Sequence, residues 1–126
     1  MTILIRAMFL ILKLVENSTI DNVSENAIGV YQIRPIFVED VNRILGFESY
    51  THEEARNERL AQQMIFVYLN HYGRMYTDLT GKQPDARVLA RIFNGGPKGY
   101  LKRATINYGN RAMNIWEDQN EKISKM

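Results

Sequence analysis

Glu16 is the residue whose position in the sequence is most suited to chemistry. It follows an almost continuous apolar run over residues 3–15, and the chain turns polar directly after it. Burial beside Leu12 and Val15 would raise the pKa of this carboxyl group and keep it protonated closer to neutrality. A protonated carboxyl group donates its proton to a leaving oxygen, as the general acid of a glycosidase does. The alternative is a solvated carboxylate that simply closes a helix.

The remaining composition excludes several other kinds of site. The chain has no cysteine, which rules out a disulfide framework, a thiolate zinc site and a cysteine nucleophile. His52 and His71 are the only two histidines, and no metal-binding motif surrounds them. We therefore expect neither a metal ion nor a cofactor.

Basic side chains are concentrated in one part of the chain. The whole sequence carries a net charge of only +2, too small to imply a nucleic-acid partner. Residues 74–112, however, hold eight basic and two acidic side chains. Such a stretch can face a nucleic acid or an acidic cell-wall glycan, or it can be an ordinary solvated helical surface. The eight basic residues are Arg74, Lys82, Arg87, Arg91, Lys98, Lys102, Arg103 and Arg111.

Length and hydropathy predict a single soluble domain over residues 1–126, of which 45% are hydrophobic. We do not expect the apolar run over residues 3–15 to be a signal peptide, because Lys13 interrupts it and no cleavage motif follows. It is also shorter than the roughly twenty residues that a membrane span needs. We interpret it as a buried central helix, apolar on nearly every face. We expect no membrane span, and access to a cell wall would require release or export by another factor.

Local signals predict two further helices in the middle of the chain. Pro35 suits the first position of a helix that Gly46 ends. Thr51 and Glu54 have the spacing of a capping box, which predicts the start of a long helix that ends at Gly73.

The last third of the chain is also predicted to be helical. Pro84 begins a helix that residues 94–97, Asn-Gly-Gly-Pro, break. A final helix begins near residue 104 or 105 and passes Trp116, and we expect the polar tail over residues 117–126 to be frayed. In contrast, residues 16–33 show no helical period and predict an irregular loop or a short β-hairpin.

Two stretches carry a resemblance to a known family. Residues 16–35, ENSTIDNVSENAIGVYQIRP, combine Glu16 and a serine-containing loop with a Gly-x-x-Gln motif over residues 29–32. Residues 88–97, VLARIFNGGP, are similar to an Ala-x-Tyr-Asn-x-Gly-Pro signature, and Tyr108 follows at the expected interval. In order and spacing the chain resembles the soluble lytic transglycosylases and goose-type lysozymes, most closely their compact phage-type members.

This resemblance implies a mainly α, lysozyme-like single domain with a substrate groove between two lobes. It implies cleavage of the β-1,4 bond between N-acetylmuramic acid and N-acetylglucosamine in peptidoglycan. In the family, one Glu first protonates the glycosidic oxygen and then acts as a base, which gives 1,6-anhydro-muramoyl products. Peptidoglycan strands would be the partner, nucleic acid would not, and the protein would act as a monomer. The implied residues are Glu16 as the catalytic group and Ser24, Gly29, Tyr31, Gln32, Asn94 and Tyr108 for substrate binding.

Several of these residues have a physical reason in such a site. Gly29 would let the backbone approach a sugar ring, and Gln32 would offer it both a donor and an acceptor. Tyr31 stands where the family has a methionine or similar residue, and a sugar could stack on its ring. We expect the Tyr108 hydroxyl to lie near Glu16 and to orient its carboxyl group.

The sequence also departs from the family pattern and leaves alternatives open. Asn17 stands where the family has serine, and Phe93 replaces a tyrosine. A hydrolytic muramidase, of the lysozyme or endolysin type, would need a second carboxylate, for which Asp21 and Glu25 are the nearby candidates. A third alternative is a non-enzymatic, basic helical module that binds nucleic acid.

Overall fold

The computed structural model describes residues 1–18 and 20–125, which form a mainly α-helical domain. Three short 3-10 turns connect the helices, and the described residues contain no β-strand. The prediction of a single, mainly α domain is therefore confirmed. In chain order, the α-helices of these residues are α1 (Thr2–Glu16), α2 (Pro35–Leu45), α3 (Glu58–Thr80), α4 (Ala86–Gly95) and α5 (Ile106–Ser124).

Helix α1 contributes one face to the core, where it contacts α3, α4 and α5. Its buried residues recur at helical spacing, from Ile5 and Met8 to Leu12 and Val15. Ile3 and Leu10 remain 86% and 50% exposed. The prediction of a helix buried on nearly every face is thus wrong, because apolar composition does not show how many neighbours a helix has.

The boundaries of α2 follow its local signals. Pro35 is the first residue of the helix, where its missing N–H group costs nothing and its fixed φ suits the helical backbone. Gly46 ends the helix in the left-handed conformation with φ of 86°, and its N–H donates to the carbonyl oxygen of Asn42. Both predicted ends of this helix are confirmed.

The predicted ends of the next helix are wrong. Thr51 and Glu54 do form a capping box, but it precedes only the 3-10 turn Glu53–Arg56. Asn57 caps α3 instead, since its side chain accepts from the N–H of Leu60. Gly73 lies inside α3, where a Cβ atom would come within 2.6 Å of the Met1 sulfur. This glycine therefore allows close packing against α3 and does not end the helix.

The C-terminal helices agree more closely with the sequence. Asp85 caps α4 by accepting from the N–H of Val88, and Gly96 ends this helix with φ of 94°. Helix α5 begins at Ile106 and continues to Ser124, so the polar segment that we expected to be frayed is helical up to that residue. No helix within residues 1–18 and 20–125 has the length and apolar character needed to cross a membrane.

Gly29 and Gly81 allow a controlled test of backbone packing, because their φ angles are 75° and 74°. We expect Gly81→Ala to lower the free energy of unfolding by about 1–2 kcal/mol, the cost of left-handed backbone for an L-residue. A Cβ atom at Gly29 would also lie 2.6 Å from the Ala55 carbonyl oxygen, whereas Gly81 has open space around it. Gly29→Ala should therefore cost about 1–3 kcal/mol more, as overpacking does. Urea unfolding of both variants measures this difference, and equal losses would contradict the packing argument.

Candidate active site

Glu16 is the last residue of α1, and the residue after it ends the helix. Asn17 adopts the left-handed conformation, with φ and ψ both 41°, and its N–H donates to the carbonyl oxygen of Lys13. Asparagine enters this region more easily than most residues with a Cβ atom. Asn17 thus has a structural role, since it ends the helix directly after Glu16.

The carboxyl group of Glu16 is held by a residue from the opposite end of the chain. The hydroxyl of Tyr108 donates to Oε2 of Glu16 at 2.6 Å, across 92 residues of sequence. Tyr108 lies in the first turn of α5 and is only 6% exposed. The Arg111 guanidinium lies 5.6 Å from the centre of the Tyr108 ring, within the range of a cation–π contact. Tyr108 therefore positions Glu16 and is not itself among the residues that line the adjacent cleft.

Burial raises the pKa of Glu16 above its ordinary value. The hydrogen bond from Tyr108 and the positive charges of Arg111 and Arg34 oppose this rise, and the charge of Glu25 adds to it. Burial and the neighbouring carboxyl group also raise the pKa of Tyr108 well above the usual phenol value, so that its hydroxyl remains a donor. Glu16 therefore stays protonated up to a higher pH than an exposed glutamate does.

Glu16 opens onto a solvent-accessible cleft with a volume of about 880 Å³. This volume is within the range of about 300–1,000 Å³ that small-molecule sites occupy. Its walls come from the loop after α1, from α2 and α3, and from the end of α4 with the segment that follows it. The lining residues include Glu16, Glu25, Gln32, Arg34, Phe37, Asp40, Arg43, Tyr68, Phe93, Asn94 and Lys102.

An aromatic series forms the apolar wall of the cleft. The rings of Phe37 and Tyr68 stack with their centres 4.2 Å apart, and Phe93 meets Phe37 edge-on at 5.5 Å. The Phe93 ring centre also lies 6.5 Å from that of Tyr108. The sequence did not predict that Phe37 and Tyr68 reach the cleft. The spacing of apolar residues within each helix indicates only that the two rings face inward. The contact between α2 and α3 brings them together.

The loop over residues 20–34 contains two consecutive turns. Asn22 and Ala27 exchange backbone hydrogen bonds across the first turn, and Ile28 and Ile33 do so across the second. The side chains of Ala27, Ile28 and Ile33 are buried and anchor the loop in the core. The sequence left open an irregular loop or a short hairpin. The described residues of this segment form two turns, each closed by an isolated bridge, and no strand.

Gly29 stabilises the loop and allows it to pack closely against the Ala55 backbone. Its N–H donates to Asp21 at 3.2 Å, and the Ala55 backbone occupies the space that a Cβ atom would need. It does not line the cleft, so the structure does not support its expected approach to a sugar ring. Gln32 does line the cleft, but its Nε2 group donates to the carbonyl oxygens of Ile20 and Gly29. Only the side-chain oxygen of Gln32 remains for a ligand, instead of the expected donor and acceptor.

The other predicted residues divide between core, surface and cleft. Tyr31 is 1% exposed and accepts from Gln62, so it cannot serve as the expected stacking platform. The motif does not indicate this burial, because it gives no side-chain direction. Ser24 lies on the surface, donates to Asn22 and does not line the cleft. Asn94 lines the cleft in the last turn of α4, and within the described part of the chain no residue bonds to its side chain.

The candidate second carboxylates differ in their surroundings. Asp21 forms an ion pair with Arg56, which together with the Gly29 N–H holds its pKa below the ordinary value. Glu25 is exposed and lines the same cleft as Glu16. Asp40 also lines the cleft but is bound by Arg43 and by the hydroxyl of Tyr72. Glu25 is therefore the better placed of the two carboxylates that the sequence suggested.

The basic stretch is partly used inside the fold. The Arg91 side chain donates to Thr105 and to the carbonyl oxygen of Lys102, while Lys102 donates to that of Gly95. Within residues 1–18 and 20–125, no group of three or more histidine and carboxylate side chains is arranged to hold a metal ion.

Comparison with known proteins gives no assignment for this site. The chain has no match among protein-family models, curated proteins or solved structures.

The raised pKa of Glu16 predicts a pH-dependent cost in stability. Between the ordinary carboxyl pKa of about 4.3 and the higher folded value, the native state binds more protons than the unfolded chain. Stability should therefore fall as the pH rises through this interval and then level off. Glu16→Gln removes the titrating group, so its stability relative to the original protein should be greater at pH 8 than at pH 4. Thermal unfolding across this range measures the difference.

Asp21→Asn provides a comparison of opposite sign. The pKa of Asp21 is lowered, so its contribution to stability is present above the ordinary carboxyl pKa and is lost as the pH falls. This variant should be destabilised near neutrality and should approach the original protein in acid. A stability difference for Glu16→Gln that does not change with pH would contradict the argument from burial.

Proposed function

We propose that the protein is a lysozyme-like lytic transglycosylase. In this proposal, its substrate is the β-1,4 bond between N-acetylmuramic acid and N-acetylglucosamine in peptidoglycan, and the cleft is the groove between the two lobes of the fold. The observation that carries the proposal is the hydrogen bond of 2.6 Å between Tyr108 and the partly buried Glu16 at this cleft.

The cleft offers the mixture of surfaces that a sugar requires. Phe37, Tyr68 and Phe93 form an apolar wall suited to the flat face of a pyranose ring. Asn94 and the side-chain oxygen of Gln32 provide hydrogen-bonding groups for acetamido and hydroxyl substituents. Glu16 lies at the same surface, where it can reach a glycosidic oxygen.

Glu16 would act twice in the proposed reaction. Its protonated carboxyl group donates to the glycosidic oxygen as the bond from that oxygen to the muramoyl C1 breaks. The resulting carboxylate, stabilised by the Tyr108 hydroxyl, then takes the proton from the muramoyl C6 hydroxyl. The C6 oxygen bonds to C1 and closes the 1,6-anhydro ring. The proton returns to Glu16, so that the cycle consumes no water.

Hydrolysis is the second candidate, and the position of Glu25 favours it. Glu25 lines the cleft with Glu16, and its charge contributes to the raised pKa of Glu16. A hydrolase with two carboxylates would use Glu25 to activate water or to stabilise the developing positive charge. Transglycosylation is preferred because it needs only the one carboxyl group that is held in place by a defined partner.

The two chemistries are distinguished by Glu16→Gln and Glu25→Gln. Without its proton donor, Glu16→Gln should lose at least about 100-fold in cell-wall turnover, the lower end of the contribution of general acid–base catalysis. Glu25→Gln should keep activity within about threefold if one carboxyl group suffices, and the contrast with a 100-fold loss is about 2 kcal/mol in activation free energy. Turbidity loss of a cell-wall suspension measures these rates.

Mass spectrometry of the released fragments identifies the reaction. Anhydro-muramoyl ends would support transglycosylation, whereas reducing muramoyl ends together with an inactive Glu25→Gln would show that the hydrolytic alternative is correct. An unchanged rate for Glu16→Gln would refute both candidates. Circular dichroism of each variant checks that the fold is retained.

Tyr108→Phe tests the contact that positions the acid. Loss of the hydroxyl should lower turnover about tenfold, or about 1.4 kcal/mol in activation free energy. Because the Tyr108 hydrogen bond lowers the pKa of Glu16, its removal should also move the alkaline limb of the pH–rate profile to higher pH. Tyr100→Phe is the matched control, since the Tyr100 ring contacts Tyr76 and does not line the cleft. Unchanged turnover and an unchanged pH–rate profile for Tyr108→Phe would show that this tyrosine only packs in the core and does not position Glu16.

A further inference from the structure

Three cationic side chains line the cleft, and two of them already have partners. Arg43 is bound to Asp40 and donates to the Tyr72 hydroxyl at 3.1 Å. Lys102 donates to the carbonyl oxygen of Gly95 at 2.6 Å. Arg34 differs from both, because over residues 1–18 and 20–125 its side chain forms no ion pair and no hydrogen bond.

The backbone of Arg34 is nevertheless fixed. It is the residue before Pro35 and has extended backbone angles, φ of −93° and ψ of 158°, as expected before proline. On its other side, Ile33 is buried and exchanges two backbone hydrogen bonds with Ile28. The free guanidinium therefore extends from a rigid junction between the loop and α2.

Arg34 lines the same cleft as the proposed acid and the aromatic wall. The positive charge of Arg34 opposes the rise in the pKa of both Glu16 and Tyr68, which line this cleft with it. Among residues 1–18 and 20–125, no carboxyl group reaches ion-pair distance of the Arg34 side chain. Glu16 is bound to Tyr108, and Glu25 lines the cleft without reaching ion-pair distance of Arg34.

A guanidinium group with this freedom is suited to a carboxylate. Its planar array of N–H groups can donate two parallel hydrogen bonds to the two carboxylate oxygens. A neutral hydroxyl or acetamido group cannot complete that geometry. An unpaired arginine in the same cleft as the proposed acid therefore favours a substrate that carries a carboxylate.

We propose that Arg34 binds a carboxylate of the muramoyl unit and thereby makes the cleft selective for muramoyl over all-glucosaminyl glycans. This inference rests on the proposed function. Two carboxylates of the substrate have the required chemistry. One belongs to the lactyl group of a muramoyl residue without peptide, and the other belongs to the stem peptide when one is attached.

Calorimetric binding to the Glu16→Gln protein, which leaves glycans intact, tests the proposal with three probes. These are chitotetraose, the peptide-free tetrasaccharide of alternating N-acetylglucosamine and N-acetylmuramic acid, and the same tetrasaccharide carrying L-alanyl-D-glutamate. At least one muramoyl probe should bind about tenfold more tightly than chitotetraose, which corresponds to about 1.4 kcal/mol. The peptide-free probe binds best if the lactyl carboxylate is the ligand, and the dipeptide probe binds best if the peptide carboxylate is.

Substitutions test whether Arg34 is the cause of this preference for muramoyl probes. Arg34→Gln should abolish it and leave the affinity for chitotetraose unchanged, while Arg34→Lys should retain part of it. Arg59→Gln removes the same charge from an exposed position outside the cleft and should keep the full preference. The preference should also weaken with added salt, because the guanidinium is exposed.

The outcomes separate this inference from the function on which it rests. Equal binding of all three probes, or a preference that survives Arg34→Gln, would overturn the role of Arg34 and leave the glycan site in place. Loss of binding to all three probes in Arg34→Gln alone would also overturn it, since the arginine would then support the cleft generally. Absence of binding by the protein that retains Arg34 would overturn both the inference and the proposed function.

Discussion

The hydrogen bond between Tyr108 and Glu16 is the interaction on which the candidate site depends. A carboxyl group that is moved out of water is costly unless a donor compensates it. Here the compensation comes from a hydroxyl at the start of α5, while the carboxyl group is at the end of α1. The site is therefore complete only after the two ends of the chain have packed together. Asn17 contributes by ending α1 directly after Glu16, so that the carboxyl group belongs to a rigid helix and not to the loop.

The other polar residues of the cleft separate into those that build it and those that remain available. Asp40, Arg43 and Lys102 are bound by protein partners, and the donors of Gln32 hold the loop closed. Arg34 and Asn94 line the same surface without such partners among residues 1–18 and 20–125. This division explains why residue type alone is a poor guide to a binding site. A carboxylate in an ion pair supports the fold, whereas an unpaired group near an apolar wall retains its capacity to bind a ligand.

Local signals in the sequence predicted the helical class and several helix ends, while tertiary contacts decided the rest. Pro35 and Gly46 act through their own backbone preferences, so the boundaries of α2 could be predicted. Gly73 could not be interpreted in the same way, because its role is a close contact with Met1 and not a backbone angle. The site shows the same limit. The resemblance brought Glu16 and Tyr108 into consideration together, but the Gly-x-x-Gln motif did not reveal that Tyr31 is buried, because a motif carries no side-chain direction.

The surroundings of Glu16 suit the two states that the proposed reaction requires of it. Burial favours the protonated acid, whereas Tyr108, Arg111 and Arg34 favour the carboxylate, and the pKa is raised because burial has the larger effect. Were burial unopposed, the acid would hold its proton too strongly to donate it. Were the donor and the cations dominant, the group would be ionised before a substrate arrived. A carboxyl group that must first donate and then accept a proton needs both influences. The hydrogen bond of 2.6 Å from Tyr108 supplies the second, because it stabilises the carboxylate that forms when Glu16 gives up its proton.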